Sequence, residues 1–248
     1  MNKYYFLLAV VIVISINVSC KKSKETESNN VEVVTLKEIP EVEETTVATK
    51  QNPVDFIPKS YIAFDTIYGD LNKDGLEDCA LIIKGTDKSK VITDEYRGTL
   101  DRNRRGIIVL LNKKAGYELF LKNEDCFSSE NEEGGVYYAP ELDVEITKGK
   151  LFVAYRHGRY GYWEYMFRIQ DNDLTLIGYD ASSNNGPVVN IETSINFLTG
   201  KKITNVNTNE SADSGEEVFE KKESKINRTK LIKLSEIKDF DELRFFDE

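Results

Sequence analysis

Residues 70–78 read DLNKDGLED and place oxygen-bearing side chains at alternate positions. Hard divalent cations such as Ca²⁺ take about six to eight oxygen ligands, which carboxylates, amides and main-chain carbonyls supply. Gly75 provides the left-handed backbone conformation that a tight bend needs. The spacing therefore predicts a calcium-binding loop. The predicted ligands are Asp70, Asn72, Asp74, the carbonyl of Leu76 and Asp78.

The flanking residues predict that strands, and not helices, position this loop. YIAFDTIYG precedes it and CALIIKG follows it, and both are rich in β-branched and aromatic residues. An EF-hand would carry a glutamate at the twelfth loop position, where this chain has Leu81. An acidic turn without metal stays open as the alternative, because Asn and Asp also stabilise turns. If calcium binds, we expect a structural role ahead of a regulatory one.

The residues FDTIYGDLNKDGLEDCALII, followed by RGIIVLLNKKAGYELF, resemble a blade of the integrin-like β-propellers of the FG-GAP or VCBS type. In that family a D-x-N-x-D-G-x-x-D loop between two strands binds calcium, so the resemblance implies the same ligands. It covers residues 62–121 and departs from the family in having one such loop and a long insertion. A full seven-bladed propeller is excluded by length. The GDLNKDG loop and the ETSINFLTGK hairpin also resemble those of uncharacterised Bacteroidota lipoproteins, which implies no activity.

The first 20 residues, MNKYYFLLAVVIVISINVSC, predict a secretory signal over residues 1–19. Their apolar run is too short for a confident membrane span. Cys20 with the preceding Val18 and Ser19 resembles a bacterial lipobox, and the following KKSKETESNN resembles the charged tether of Bacteroidota lipoproteins. The resemblance implies that Cys20 is lipidated and anchors the protein to the membrane at the bacterial cell envelope. A plain signal peptide with an incidental cysteine is the alternative.

Composition divides the rest of the chain into two parts. Residues 20–50 are rich in Lys, Glu, Thr and Ser and hold no aromatic residue, so we expect a flexible tether. Residues 51–248 are expected to form a single β domain. Its short apolar runs are separated by Gly, Asn and Asp, which is typical of antiparallel hairpins. The predicted fold is all-β, with about ten strands in a sandwich or propeller-like assembly and at most one short C-terminal helix after Ser235.

Alternation within the predicted strands assigns side chains to faces. In YWEYMFRIQ it predicts that Trp163, Tyr165, Phe167 and Ile169 point into the core. NIETSINFL and KKITNV are predicted to form a hairpin around Gly200. EEVFEKK and TKLIKL are predicted to form the last pair.

A second candidate site lies in YRHGRYGYWEY, residues 155–165. Aromatic rings and arginines on one surface could bind a sugar or an anionic group. The more ordinary interpretation is a hairpin whose aromatic residues belong to the core. The residues of this possible ligand surface are Arg156, His157, Arg159, Tyr160 and Tyr162.

The net charge of −10 argues against nucleic-acid binding, which requires a basic surface. A mixed-charge segment, DEYRGTLDRNRRG at 94–106, is the one basic cluster on this acidic chain. If Cys20 carries lipid, Cys79 and Cys126 remain, and they could form a disulfide outside the cytoplasm or remain as free core residues.

These observations favour a non-catalytic, calcium-stabilised binding module for a protein or a glycan on a lipid anchor. One alternative is a hydrolase that acts on envelope polymers through paired carboxylates. Another is a purely structural or assembly lipoprotein. A catalytic triad would have to use His157, the single histidine, and no G-x-S-x-G stretch supports it.

Overall fold

The computed structural model describes residues 49–131, 140–227 and 230–243. The predicted signal peptide, Cys20 and nearly all of the predicted tether lie outside these ranges. Within them, no helix reaches seven residues, and none is long and apolar enough to cross a membrane. The strands are β1 (Tyr61–Gly69), β2 (Asp78–Gly85), β3 (Val91–Asp94), β4 (Gly98–Asp101), β5 (Arg105–Asn112), β6 (Tyr117–Phe127), β7 (Glu141–Thr147), β8 (Lys150–Arg156), β9 (Gly161–Gln170), β10 (Asp173–Asn185), β11 (Val188–Asn196), β12 (Lys201–Asn207) and β13 (Phe219–Lys225). Short 3₁₀ turns occur at Pro53–Phe56, Lys88–Lys90, Gly158–Tyr160 and Leu234–Glu236.

The strands form three antiparallel sheets. A four-stranded sheet has the order β1-β2-β5-β6, and a seven-stranded sheet has the order β13-β12-β11-β10-β9-β8-β7. The β3–β4 hairpin is a separate two-stranded sheet within the insertion between β2 and β5. The all-β prediction is confirmed. Consecutive strands of the larger sheet are neighbours throughout, because short turns return the chain directly beside itself.

The main core lies between the two larger sheets, which therefore pack as a sandwich. The four-stranded sheet contributes Ala80, Ile82, Ile107 and Val109, and the seven-stranded sheet contributes residues that include Phe167. Alternation along each strand directs these side chains to one face. The prediction for YWEYMFRIQ is confirmed, since Tyr165 and Phe167 are buried while Trp163 and Ile169 pack against the same cluster.

A second apolar cluster covers the other face of the four-stranded sheet. It consists of Cys79, Leu81, Ile83, Ile108 and Leu110. Phe56 and Ile57, from the segment before β1, pack over it. β2 and β5 are consequently buried on both faces, which explains their nearly continuous runs of apolar residues.

The two cysteines of the domain lie in different clusters. Cys79 belongs to the outer cluster and Cys126 to the main core, and both are free thiols. A disulfide between them is therefore not formed. Burial raises the pKa of Cys79 to about 12, which is typical of an unreactive core thiol.

Two of the predicted hairpins of the larger sheet are confirmed, and the last one is wrong. β9 and β10 join at Asp171 and Asn172, whose φ angles are 52° and 59°, and β11 and β12 join at Gly200 as predicted. The last predicted pair was wrong. β13 pairs with β12, whereas Ile232 accepts a hydrogen bond from the main chain of Leu176 in β10.

The C-terminal segment closes the sandwich. Leu234, Ile237 and Phe240 are buried in the main core. The predicted helix start at Ser235 is replaced by a single 3₁₀ turn, because the Ser235 hydroxyl donates to the buried carboxylate of Asp173 instead of capping a helix. This long-range contact has no signal in the local sequence.

Candidate functional site

The predicted calcium loop connects β1 to β2 and is held at both ends by close packing. Leu71, its second residue, is buried in the main core. Gly69 lies so close to β7 that a Cβ atom there would stand 2.7 Å from the carbonyl oxygen of Ile146. The loop is thus fixed against the seven-stranded sheet, in the strand–loop–strand arrangement that the sequence predicts.

The side chain of Asp78 holds the loop in place through hydrogen bonds to its main chain. Its side chain is fully buried, and Oδ2 accepts hydrogen bonds from the main-chain N–H groups of Leu71 at 2.9 Å and Asn72 at 3.2 Å. Oδ1 accepts a third from Asn112 on β5 at 2.9 Å. Burial raises the pKa of Asp78 even though these three hydrogen bonds lower it. Asp78 therefore has a structural role in the fold, and its role as a metal ligand stays a prediction.

The remaining oxygen-bearing side chains turn inward over the loop. The two carboxylate oxygens of Asp70 accept the main-chain N–H groups of Asp74 at 3.1 Å and Gly75 at 3.0 Å. Asn72 Oδ1 also accepts the N–H of Asp74, at 2.9 Å. Asp74 Oδ1 accepts the N–H of Leu76 at 2.9 Å. Alternate residues therefore converge on one side of the bend, with Gly75 in the left-handed region at a φ of 85°.

The oxygen atoms of this loop are of the kinds that a hard cation binds, and calcium binding stays a prediction. Asp74 Oδ2 accepts the side-chain amide of Asn72 at 2.9 Å, so a positively polarised group already faces this carboxylate. The N–H of Leu76 and the amide of Asn72 together lower the pKa of Asp74, which favours the ionised form. Among the described residues, no three acidic, histidine or cysteine side chains alone could hold a metal ion. The predicted set contains three aspartates, which therefore do not form such a group by themselves, and an ion would also need the amide oxygen of Asn72 and the main-chain carbonyl of Leu76.

The loop also rests on a neighbouring turn. Lys73 has a positive φ of 65°, and its side chain lies over Gly149 in the β7–β8 turn. A Cβ atom at Gly149 would stand 2.2 Å from Lys73 Cε. Gly149 itself has a φ of 70°. Contact with the β7–β8 turn therefore restricts the loop in addition to the hydrogen bonds within the loop.

The possible ligand surface at residues 155–165 is divided between the two faces of its sheet. β8 and β9 pair so that Arg156 faces Tyr162 on the outer side, where Arg156 Nη2 lies 2.9 Å from Asp143 Oδ2. His157 stacks on Trp163, with ring centroids 4.0 Å apart, next to the core. The structure therefore does not bring the five predicted residues together. Arg159 and Tyr160 lie exposed in the turn between the two groups.

His157 and Trp163 form the end of an aromatic stack. Trp163 lies 5.8 Å from the ring of Tyr155, which is fully buried. Burial lowers the pKa of His157, so its imidazole is held neutral. This arrangement matches the interpretation of the hairpin as core and leaves exposed side chains on its outer face.

The outer face of the seven-stranded sheet is acidic around Tyr162. Glu164 on β9 is paired in register with Asp180 on β10, which puts both carboxylates on this face. Burial, and then the charge of Asp180, raises the pKa of Glu164. Like charges directly opposite one another destabilise a sheet, and the charge of Arg156 partly offsets this effect at Glu164.

The mixed-charge segment at 94–106 lies mainly on the β3–β4 hairpin and is tied to the sandwich. Lys84 bridges Asp101 at 3.0 Å and Glu130 at 2.8 Å. Arg104 Nη2 lies 2.9 Å from Asp239 Oδ2. A cleft of about 200 Å³ lies beside these contacts, lined by residues that include Tyr61, Lys90 and Arg104. Its lining includes both basic and acidic side chains.

No protein-family model, curated protein or solved structure matches this chain. Two residues have structural roles that the sequence did not predict, namely Asn112 and Arg105 of the mixed-charge segment at 94–106. Asn112 supplies a donor to Asp78, and only the long-range pairing of β2 with β5 brings it there. Arg105 is buried at the start of β5, and its alternation with Ile107 and Val109 is the sequence signal for that position.

Proposed function

We propose that this protein is a non-catalytic, calcium-stabilised β module that is lipid-anchored at the bacterial cell envelope and binds a protein or glycan. The observation that carries the proposal is the convergence of Asp70, Asn72 and Asp74 over one bend. Together with the carbonyl of Leu76, these residues would hold the ion. Calcium would supply positive charge that neutralises the two carboxylates and fixes the loop between β1 and β2.

The position of the loop supports a stabilising role for the ion. Leu71 ties it to the core, Gly69 to β7, and Asp78 to both β2 and β5. Binding to the folded loop but not to an unfolded chain stabilises the fold by mass action. The effect would extend to both sheets because the loop contacts both.

The proposed anchor is the thioether-linked lipid at Cys20, followed by the tether up to residue 50. Lys50 is the point at which the chain joins the domain, since its main chain exchanges two hydrogen bonds with Tyr117, at 3.0 and 2.8 Å. The tether would carry the domain away from the membrane surface. This part of the proposal also rests on the resemblance to envelope lipoproteins.

The proposed ligand surface is the outer part of the β8–β9 hairpin. Arg156, Arg159, Tyr160 and Tyr162 are its exposed residues. An exposed tyrosine ring can stack on a sugar or pack on a protein, and arginine adds directional donors. His157 belongs to the aromatic stack behind this surface and would support it without touching the ligand.

A hydrolase is the second candidate, and the pairing of Glu164 with Asp180 is what favours it. Burial and Asp180 raise the pKa of Glu164, as a general acid requires. Incubation of the full chain with peptidoglycan and envelope polysaccharides, with release of reducing ends as the readout, tests this candidate. Release that disappears in Glu164→Gln would establish it, and no release from any polymer would remove it.

The calcium proposal is tested by thermal unfolding of the full chain in detergent, with calcium and then with excess EDTA. We expect calcium to raise the midpoint by several degrees and Asp74→Ala to abolish that rise. Asp65→Ala is the matched control, because Asp65 is an exposed aspartate on β1 outside the loop. An unchanged midpoint for the unmodified chain would overturn the proposal.

The anchor is tested separately by expressing the chain with Cys20→Ala. We expect the unmodified protein to fractionate with membranes and to incorporate labelled fatty acid. The variant is expected in the soluble envelope fraction without label. Identical fractionation of the two proteins would contradict lipidation at Cys20 and leave the calcium proposal unaffected.

A further inference from the structure

Arg105 is a buried cation whose charge is met by no ion pair in the described part of the chain. Its side chain is 3 % exposed, and Nε donates to the carbonyl oxygen of Ser128 at 2.9 Å. Nη2 is also buried and has no hydrogen-bond partner among the described residues. One face of the guanidinium lies 5.1 Å from the centre of the Phe64 ring. Arginine stays protonated in proteins, so the charge persists in this environment.

Tyr155 brings a second unpartnered donor from the opposite sheet. It lies on β8 and is fully buried, and its hydroxyl has no hydrogen-bond partner in the described residues. The side chain of Ser128 lies beside this hydroxyl without completing a hydrogen bond to it. Burial, and then the charge of Asp241, raises the pKa of Tyr155, so its hydroxyl remains a neutral donor. Ser128 thus contacts both Arg105 and Tyr155.

The nearby carboxylates have other contacts. Glu130 is bound by Lys84 at 2.8 Å, and Asp241 acts on Arg105 through its charge without forming an ion pair with it. The Phe127 ring lies 6.5 Å from that of Tyr155, so apolar carbon atoms are part of these surroundings. A buried charge in such surroundings is strongly destabilising unless a counter-charge accompanies it. Two buried donors without a partner, one from each sheet, therefore lie near Ser128 in surroundings where negative charge would be stabilised.

We propose that Arg105 and Tyr155 bind a small monovalent anion, chloride, between the two sheets. Nη2 and the tyrosine hydroxyl would donate to it, and the guanidinium would supply the counter-charge. A divalent oxyanion needs more donors than this pair offers and would carry excess charge into an apolar core. The anion would join β5 of one sheet to β8 of the other. This inference is independent of the calcium loop.

Halide-dependent stability is the first test. Thermal unfolding of the full chain is measured in sodium chloride and in sodium gluconate at equal ionic strength. We expect a midpoint several degrees higher in chloride. Tyr155→Phe keeps the ring and should shrink that difference, and Arg105→Met should abolish it. Arg156→Met is the matched control, because it removes an exposed arginine from the other face of the sheet.

Bromide gives a direct readout that does not depend on any variant folding well. In crystals of the unmodified protein grown with sodium bromide, we expect an anomalous peak within contact distance of Arg105 Nη2 and Tyr155 Oη. A peak there together with the chloride-dependent midpoint would establish the site. The absence of an anomalous peak at these atoms, or equal midpoints in chloride and gluconate, would overturn the proposal.

Discussion

The loop at residues 70–78 and the turn at residues 156–162 both join antiparallel strands, and both carry several polar residues close together in the sequence. Their side chains nevertheless behave in opposite ways. In the first, Asp70, Asn72 and Asp74 converge, because the chain curls around its own N–H groups. In the second, alternation along β8 and β9 sends neighbouring side chains to opposite faces. In this molecule, neighbouring polar side chains therefore converge where the backbone curls around them and separate where it is extended.

The same comparison shows what holds each region. The loop is fixed by a buried carboxylate that accepts three main-chain N–H groups. The turn is fixed by aromatic stacking of His157 and Trp163, and its exposed residues contribute little to packing. Changes in the loop should therefore affect both folding and metal binding. Changes on the outer side of the turn should affect neither.

The largest effect is expected for Asp78→Ala. The change would leave the buried N–H group of Leu71 and the partly buried N–H groups of Asn72 and Asn112 without their acceptor, at a cost of about 3 kcal/mol in the free energy of unfolding. Urea unfolding measures this loss. Asp65→Ala, on the exposed surface of β1, is the control and should change stability by less than about 0.5 kcal/mol. A mild effect of Asp78→Ala would show that the loop is not anchored as described.

Alanine at two glycines separates backbone strain from metal binding. Gly75 and Gly158 have φ angles of 85° and 57°, and at either a Cβ atom would meet nothing within 4 Å. Each substitution should therefore cost about 1–2 kcal/mol through the left-handed backbone alone. Only Gly75→Ala should also weaken the rise of the unfolding midpoint with calcium. An equal loss of calcium response in Gly158→Ala would remove the distinction between the two regions.

His157→Ala tests whether the histidine of the turn is part of the core. Loss of its stack on Trp163 should lower the free energy of unfolding by about 1 kcal/mol. Arg159→Ala, an exposed neighbour in the same turn, should leave stability unchanged. Chemical denaturation of the two variants measures both changes in the free energy of unfolding. If His157→Ala were as stable as the unmodified chain, the stack would not hold the turn.

The smallest effect concerns pH. The pKa of Asp74 is lowered in the folded state by the N–H of Leu76 and the amide of Asn72. A lowered pKa contributes stability above the unfolded value, and this contribution disappears as pH falls through the folded value. In metal-free buffer, a slight loss of stability should therefore appear only below the ordinary range of an aspartate and should be absent in Asp74→Ala. Identical acid profiles of the two proteins would contradict this assignment.

The local sequence predicts correctly those features that depend on contacts between residues close together in the chain. The loop between β1 and β2, the turn at Asp171 and the hairpin at Gly200 each depend on residues a few positions apart. The all-β class follows from the same short-range signals. Alternation also placed Tyr165 and Phe167 in the core, because one face of β9 packs on the other sheet.

Contacts between residues far apart in the chain could not be predicted from the local sequence. The last strand was paired wrongly because Ile232 bonds to β10, more than 50 positions away in the chain, and not to β13. The role of Ser235 depends on Asp173, which is 62 positions distant. The sequence predicts the candidate ligand surface as one patch, because residue types alone do not show where strands β8 and β9 begin. The buried donors of Arg105 and Tyr155 belong to different sheets, so their burial depends on how the two sheets pack.

The most direct test of the central claim is isothermal titration calorimetry of calcium into the metal-stripped chain. We predict binding of a single calcium ion per chain, with affinity lost in Asp70→Ala and Asp74→Ala and retained in Asp65→Ala. This result would establish that the inward-turned oxygens of residues 70–76 form the metal site. An absence of binding, or binding that survives both loop substitutions, would contradict the account and leave DLNKDGLED as a turn held by its own hydrogen bonds.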